Sequence, residues 1–465
     1  MTLEIFIGLV AFIGILVAIG ALQLKKVTSE NQYLLAGRQT GLFALIATLV
    51  MTEFNTTTLI AFSGAGIGAG WWGLALPFIF FVGLLFYGLT VAKKWKNFNG
   101  VSVAHFFTQR YGKDIGALVA VILFSAMAMF SATYVKSLTL MFLPLFPDWS
   151  PWTLSAVLVG SVLLMTLRGG LVSIIRTDLV SFVLACCLMP LLFLFVAQIP
   201  ESAPAAPMSF AQMQMALPVE FVFSLIVLTM FSYIIAPWYG QKIVSAKSPS
   251  IARSAVLLSA LFVFVLYGIG VLSVYFFSQK GYMSDNPELS LPYLLNIAVP
   301  QNLQGIYYGL FFAIAATTLS GVWSAMVTLV VGKRLEAGKE GLKRSMSLML
   351  LCAFLSYALG NGVVDSVLNK MILANIPVVA LAFALLGGFY WKKTSRVGVY
   401  ASIAVGLAVG TTSYLYYGEA GLYTWYWAVY GVPLIFLSGI VGSILFPEES
   451  STFSGAGKAI LTESA

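Results

Sequence analysis

Ionisable side chains inside apolar segments are the residues of this chain whose chemistry needs an explanation. The stretch VMTEFNTTTLIAFSGAG (50–66) places Glu53 and Asn55 beside three consecutive threonines within a long apolar segment. Two further charged residues, Lys136 and Asp178, also lie within apolar segments. A charge near the centre of a bilayer costs about 2.5–3.5 kcal/mol on insertion scales, so each of these residues needs a functional or structural reason.

Two simpler interpretations of these charges remain open. Glu53 and Lys136 need no functional role if they form a structural ion pair with each other. Asp178 lies near the predicted inner end of its segment, beside Arg176, where it could be an acid at the membrane interface. The functional interpretation is that these residues belong to the pathway of an ion or a substrate.

A second polar cluster lies in AIAATTLSGVWSAMVT (313–328). Thr317, Ser320 and Ser324 are separated by three and four residues, so they share one face of a helix. A single hydroxyl in a membrane helix usually bonds back to its own preceding turn. A stripe of three among small residues also suits a hard cation such as sodium, which takes several oxygen ligands.

The composition is that of an α-helical membrane protein. Of the 465 residues, 60% are hydrophobic and only 9% are charged, and the mean hydropathy is +0.95. Apolar runs long enough to cross a bilayer recur along the chain, so we predict an all-α membrane protein with about thirteen transmembrane helices. Their expected bounds are 3–23, 41–66, 71–92, 116–145, 151–167, 172–197, 219–240, 253–278, 303–332, 345–361, 371–391, 398–416 and 425–446.

The basic residues predict how these spans are oriented. With the N-terminus outside, 22 of the 25 basic residues fall in inner loops, inner flanks or the C-terminal tail, and only Lys136, Lys280 and Lys370 do not. Lys242 counts here as an inner flanking residue after the seventh span. The net charge of +8 is therefore a topology signal that requires no nucleic-acid partner. We predict a multi-pass protein of the plasma (inner) membrane, with its N-terminus outside and its C-terminus cytoplasmic.

Other functional classes lack their sequence signals. Cys186, Cys187 and Cys352 all lie in apolar segments, so a disulfide framework is not indicated, and the single histidine, His105, does not suggest a zinc site. There is no Gly-x-Ser-x-Gly, His-Glu-x-x-His or Walker pattern, so neither an enzyme nor a primary pump is predicted. The expected partners are a small solute and the lipid bilayer, with no organic cofactor and no obligatory protein partner.

Several segments, taken in order, resemble the sodium–solute symporter family, which includes sodium–proline and sodium–sugar cotransporters. They are NQYLLAGRQTG (31–41), LIAFSGAGIGAGWWG (59–73), RGGLVSIIRTDLV (168–180), WYGQKIVSAKSP (238–249), AATTLSGVWSA (315–325) and LLGGFYWKKTSRVGVYASIAVG (385–406). The ordered set covers about residues 30–410. The resemblance implies a leucine-transporter-like core of five helices repeated in inverted orientation, with substrate at mid-membrane beside broken helices.

This resemblance also divides the chain. It implies that residues 1–30 form a first peripheral transmembrane helix, that 31–395 form the inverted-repeat transport core, and that 396–446 form two peripheral transmembrane helices. Spans two to six and seven to eleven would be the two inverted halves. The tail at 447–465 has low hydrophobicity and is expected to be disordered and cytoplasmic.

The resemblance implies two sodium sites. The family's main site uses carbonyls of the first core helix with carbonyls and hydroxyls of the eighth, and the corresponding residues here are Met51, Phe54, Thr317 and Ser320. Gly321 stands where the family has another hydroxyl, and Glu53, which matches an acid of proline-type members, would offset this missing ligand. A possible second, more cytoplasmic site would use Asp178, Ser320 and Ser324, although Trp323 replaces a further hydroxyl there.

Substrate residues follow from the same resemblance. Some members that carry acidic substrates place a basic residue on the third core helix, where Lys136 stands. The other candidates are hydrogen-bonding residues at the helix break and two aromatic residues, namely Asn55, Thr56, Thr58, Phe231 and Tyr233.

We expect sodium-coupled symport of a small organic acid or zwitterion by alternating access. Proton-coupled symport through Glu53 is the alternative, because burial disfavours the charged form of a carboxylate. A channel or a membrane sensor is a remote alternative, since the polar clusters lie on different helices and the tail is short.

Overall fold

Helices make up almost all of the regular structure. The computed structural model describes residues 2–21, 27, 29–98, 100–167, 169–203, 208–332, 339–419 and 421–448. The first α-helices are α1 Leu3–Ala21, α2 Glu30–Leu35, α3 Leu42–Glu53, α4 Thr56–Ala69, α5 Ala75–Thr90, α6 Ala92–Phe98, α7 Val103–Tyr111, α8 Lys113–Phe142, α9 Pro151–Thr166 and α10 Gly170–Gln198. They are followed by α11 Phe210–Ala216, α12 Val219–Tyr233, α13 Pro237–Ser245, α14 Pro249–Gln279, α15 Ser290–Ala298, α16 Gln301–Val331, α17 Lys339–Gly362, α18 Val367–Leu373, α19 Asn375–Val379, α20 Ala382–Tyr390, α21 Arg396–Tyr417, α22 Tyr423–Tyr426 and α23 Val432–Leu445.

Each of the thirteen predicted segments coincides with one helix or with consecutive helices. Among the described residues, eight helical stretches are long and apolar enough to cross a membrane, or up to ten if each of two bent pairs is one span. The shorter apolar helices α1, α3 and α9 fall on further predicted segments. The prediction of an all-α, multi-pass membrane protein is confirmed. From residue 449 onward, the predicted tail lies outside the described residues.

The second predicted span is broken in its middle, between α3 and α4. α3 ends at Glu53, and Phe54 leaves helical geometry with φ −72° and ψ 86°. Asn55 is the N-cap of α4, and its side chain accepts the Thr58 N–H at 2.9 Å. The Tyr267 hydroxyl of α14 enters the gap, where it donates to the Glu53 carbonyl and accepts the Asn55 N–H. One side chain thus satisfies two backbone groups that the break leaves unpaired.

The seventh predicted span is also discontinuous, between α12 and α13. α12 ends at Tyr233 and α13 begins at Pro237. Proline suits the first position of a helix because its nitrogen carries no hydrogen and its ring fixes φ. The Trp95 indole N–H donates to the Ile234 carbonyl in the gap at 2.8 Å. The spans that open the two predicted inverted halves are therefore both broken.

Helix α16 lies at the centre of the protein. Every residue from Tyr307 to Leu329 is buried, and the helix packs against α1, α3, α8 and α10. α1 approaches it closely at Gly305, where an added Cβ would lie 2.6 Å from the Ile5 carbonyl oxygen. The hydroxyl stripe of α16 therefore faces protein on all sides and not lipid.

Candidate functional site

A cavity lies beside the break between α3 and α4, enclosed by residues of α3, α4, α5, α8, α12, α13, α18 and α19. Its polar lining residues are Glu53, Asn55, Thr58, Tyr134, Thr229, Ser232, Tyr233 and Asn375, and its apolar ones are Phe62, Ile79, Phe80, Phe130, Leu225, Trp238, Leu368, Met371 and Ile372. About 60 Å³ is open to the centre of a water molecule. In this conformation the cavity therefore has room for a few waters or for a solute of similar bulk.

Glu53 is the single charged residue among the described residues that line this cavity. The residue is 5% exposed, and the Tyr233 hydroxyl donates to its carboxylate. Tyr239 stacks on Tyr233 with ring centroids 5.6 Å apart and also interacts electrostatically with Glu53. The ion pairs of the described residues do not include Glu53. The Tyr233 hydroxyl, and not a basic side chain, binds this carboxylate among the described residues.

The break also presents two helix ends beside the cavity. α3 ends at Glu53, so the negative end of its dipole and the carboxylate lie together. α4 begins at Thr56, and its positive end lies on the other side of the break. A cation and an anion can therefore both be stabilised here, on opposite sides of the same gap.

The cavity brings together four residues that the sequence analysis singled out, Glu53, Asn55, Thr58 and Tyr233. Thr56 instead lies beside Ser137, with their hydroxyl oxygens 3.4 Å apart. Phe231 packs on two other rings, those of Phe86 and Phe436, with centroid distances of 5.9 and 5.3 Å.

Lys136 lies apart from these residues. It is partly buried on α8, but it does not line the cavity. The simpler interpretation, a Glu53–Lys136 ion pair, is absent from the ion pairs of the described residues. The structure therefore supplies no link between Lys136 and the helix break.

Thr229, Ser232 and Asn375 were missed by the sequence analysis. Thr229 lies three residues before Ser232 and four before the predicted Tyr233, so their shared face on α12 was visible in the sequence. Asn375 lies two residues before Pro377, in a span that bends by 42° between α19 and α20. Polar residues beside a discontinuity in an apolar segment are the signal that would have identified it.

The residues proposed for the main sodium site lie where α3 and α16 adjoin. The Thr318 hydroxyl donates to the Met51 carbonyl at 3.1 Å, which joins the two helices directly. The Thr317 and Ser320 hydroxyls donate to carbonyls of their own helix, at 3.3 and 2.6 Å. A hydroxyl that donates a hydrogen bond keeps its lone pairs, so these two residues can still ligate a cation. Phe54 lies in the break itself.

A buried cluster around Lys242 of α13 corrects two interpretations of the sequence. The Lys242 Nζ lies 3.2 Å from Asp178 Oδ2, and both side chains are 1% exposed. Lys242 is therefore not a solvated flanking residue, and Asp178 is not a solvated acid at the membrane interface, because protein encloses both side chains. The reason is that the seventh span does not end near residue 240. It breaks and continues as α13, which packs against α3 and α16.

The same cluster includes α3. Lys242 also donates to the Thr48 carbonyl at 3.0 Å and to the Thr52 hydroxyl. The Thr48 hydroxyl donates to Asp178 Oδ2 at 2.5 Å. The neighbouring Gln241 donates to the Ser324 hydroxyl at 2.9 Å. Side chains of α13 thus bind two of the three residues suggested for a second sodium site.

Comparisons with known proteins identify the fold. No protein-family model matches the chain, and no curated protein sequence does. A Na⁺-coupled sialic acid symporter, solved in a substrate-bound outward-open state, is similar with a TM-score of 0.76 and 14% identity over 96% of this chain and 99% of that one. MhsT, solved in complex with L-phenylalanine, is similar with a TM-score of 0.52 and 13% identity over 92% of this chain and 99% of that one. The predicted leucine-transporter-like fold class is confirmed.

Proposed function

We propose that this protein is a sodium-coupled symporter that carries a small solute by alternating access. The observation that carries the proposal is the small polar cavity at the break between α3 and α4, with the buried carboxylate of Glu53 in its wall. Broken helices at mid-membrane offer helix ends and free backbone groups to ions and solutes. The shared fold with a Na⁺-coupled sialic acid symporter supports the same mechanism.

Membership in the sodium–solute symporter family is the finer proposal, supported by the ordered sequence segments. It places the transport core at residues 31–395. The distribution of basic residues supports insertion in the plasma (inner) membrane with the N-terminus outside.

The proposed solute carries an ammonium group, either as a zwitterion or as an amine. Glu53 would neutralise this group, and rings such as Phe80 and Trp238 would contact it, because aromatic faces attract cations. The positive end of α4 would accept the carboxylate of a zwitterion. MhsT, which shares the fold, was solved with the zwitterion L-phenylalanine. An organic acid without an amine would bring its carboxylate close to the carboxylate of Glu53, and no basic side chain among the described lining residues would bind it.

The proposed sodium ion binds beside this cavity. The carbonyls of Met51 and Phe54 and the hydroxyls of Thr317 and Ser320 would ligate it, and Glu53 would supply negative charge nearby. Sodium bound between α3 and α16 would hold the broken span against the central helix. Ion binding would in this way favour the conformation that accepts the solute.

The test uses purified protein in detergent and in liposomes. Sodium should raise the melting temperature more than potassium or choline does at the same concentration, because only a selective site adds binding free energy to the folded state. In sodium, small amino acids and their decarboxylated amines should add a further shift, whereas their deaminated acids should not. A solute that gives this further shift should be taken up into liposomes when a sodium gradient is imposed. No advantage of sodium over potassium would contradict the proposal.

Proton coupling through Glu53 is the second candidate. The observation that favours it is that this buried carboxyl accepts a hydrogen bond from the Tyr233 hydroxyl and that no basic side chain pairs with it among the described residues. Such a group can exchange a proton during transport. This mechanism predicts uptake driven by a pH gradient in sodium-free liposomes, which the sodium-coupled mechanism does not.

A further inference from the structure

We infer that the Lys242 ammonium takes the place of a second, more cytoplasmic sodium ion, so that this protein couples transport to one sodium ion only. The inference rests on the proposed sodium-coupled function and specifies its ion count. A tethered cation would provide the charge that an ion provides elsewhere, and it would not be released during the transport cycle.

The surroundings of Lys242 are those of a cation site. Its ammonium contacts a carboxylate oxygen of Asp178, the carbonyl oxygen of Thr48 and the hydroxyl oxygen of Thr52. These are the oxygen types that bind hard cations. Three contacts also use the three donors of an ammonium group. All four residues are at most 3% exposed, so water does not complete the site.

A sodium ion beside this ammonium would lack both charge and ligands. Asp178 is the one acid of the cluster, and Lys242 already neutralises it at 3.2 Å. A second positive charge would be buried without a counter-charge, which is costly. Of the hydroxyls of the suggested site, Ser324 already accepts a hydrogen bond from Gln241, and Ser320 is a proposed ligand of the main sodium site.

Removal of the ammonium would uncover a site. Without Lys242, the Thr48 carbonyl, the Thr52 hydroxyl and Asp178 Oδ2 would face one shared space. Asp178 Oδ1 is also buried and has no hydrogen-bond partner among the described residues. Three oxygens with one net negative charge would then surround a volume that an ammonium group previously filled, and the second oxygen of the same carboxylate has no competing hydrogen bond. This arrangement is suited to sodium.

The first experiment measures binding of radioactive sodium to purified protein, together with the sodium-induced thermal shift. Lys242→Ala should bind one more sodium ion per protein than the wild type. The Hill coefficient for sodium should rise above that of the wild type. Lys247→Ala is the matched control, because Lys247 is an exposed lysine five residues further on. It should bind sodium as the wild type does. No additional sodium in Lys242→Ala would overturn the inference.

The second variant, Asp178→Asn with Lys242→Gln, replaces the pair by neutral groups of similar shape. It should keep the wild-type number of bound sodium ions, because Asp178 does not ligate sodium when Lys242 is present. The loss of one bound ion would show that Asp178 is a sodium ligand in the wild type, and the inference would be wrong. This variant decides the question even if Lys242→Ala does not fold.

The failure of sodium coupling itself would be visible separately. In that case the wild type and Lys247→Ala would bind no sodium. A newly bound ion in Lys242→Ala would still establish that the ammonium occupies a cation position. Binding by the wild type without any gain in Lys242→Ala would instead support the proposed function and reject the role of Lys242.

Discussion

The hydrogen bond from Tyr233 to Glu53 can be removed with little change to the shape of the cavity. Tyr233→Phe deletes one hydroxyl, and the ring can keep its packing on Phe80 and Tyr239, with centroid distances of 5.7 and 5.6 Å. Glu53 is only 5% exposed and faces a cavity with room for a few waters, so any water that replaces the lost donor must be held in that small cavity. The variant therefore measures how much free energy this donor contributes to holding the carboxylate.

The expected magnitude depends on whether Glu53 is charged. A hydrogen bond to a charged group contributes about 1.5–3 kcal/mol, and one between neutral groups contributes about 0.5–1.5 kcal/mol. Tyr307→Phe is the matched control, because Tyr307 is fully buried and its hydroxyl donates to the neutral Leu188 carbonyl at 2.8 Å. We expect Tyr233→Phe to lower the free energy of unfolding by about 2–3 kcal/mol and Tyr307→Phe to lower it by about 1 kcal/mol.

The measurement is reversible unfolding of both variants and the wild type by a denaturing detergent in mixed micelles, in potassium buffer without solute. Both variants should retain wild-type helix content, so that the difference between them reports the charge of the acceptor. Equal losses for the two variants would refute an ionised Glu53. They would favour the proton-coupled alternative, in which this carboxyl is neutral in the resting protein.

Two further predictions concern residues whose roles the sequence suggested. Ser320→Ala should raise the sodium concentration needed for half-maximal uptake, with little change in expression, because it removes a proposed ligand oxygen. An unchanged sodium concentration would mean that Ser320 only bonds back to its own helix, as it does at the Ala316 carbonyl. Lys136→Gln should change solute affinity by no more than about twofold, as expected of a residue that does not line the cavity. A large loss of affinity for anionic solutes alone, measured in a competition assay, would show that Lys136 does bind the substrate.

The sequence alone determined the class of protein and the positions of its helices. A membrane-spanning helix needs about 20 mostly apolar residues, and this requirement is local enough to be visible in one sequence. The predicted spans 116–145 and 303–332 correspond to α8 Lys113–Phe142 and α16 Gln301–Val331. The helix break after Glu53 was expected from the family resemblance, and the Asn55 side chain, which caps α4, is its local cause.

The residues around the cavity could be predicted only in part. Asn55 and Thr58 lie next to Glu53 in the chain, so one local segment indicated all three. Thr229 and Asn375 reach the same cavity from distant helices, and although local polarity marks each residue, only the tertiary structure brings them to one cavity. Lys136 was assigned to the site by its helix alone, whereas the rotation of that helix decides which of its faces lines the cavity.

Only the tertiary structure decided the place of Lys242. A basic residue just after a long apolar segment is normally an inner flanking residue, because a charge prefers water to the bilayer. Here the span breaks before Pro237, and α13 continues within the protein. Lys242 then meets Asp178, which lies 64 residues earlier, and the ion pair with two further oxygens from α3 compensates for burial of the charge. Hydropathy describes each segment separately, whereas the stability of a buried charge depends on partners that only folding brings together.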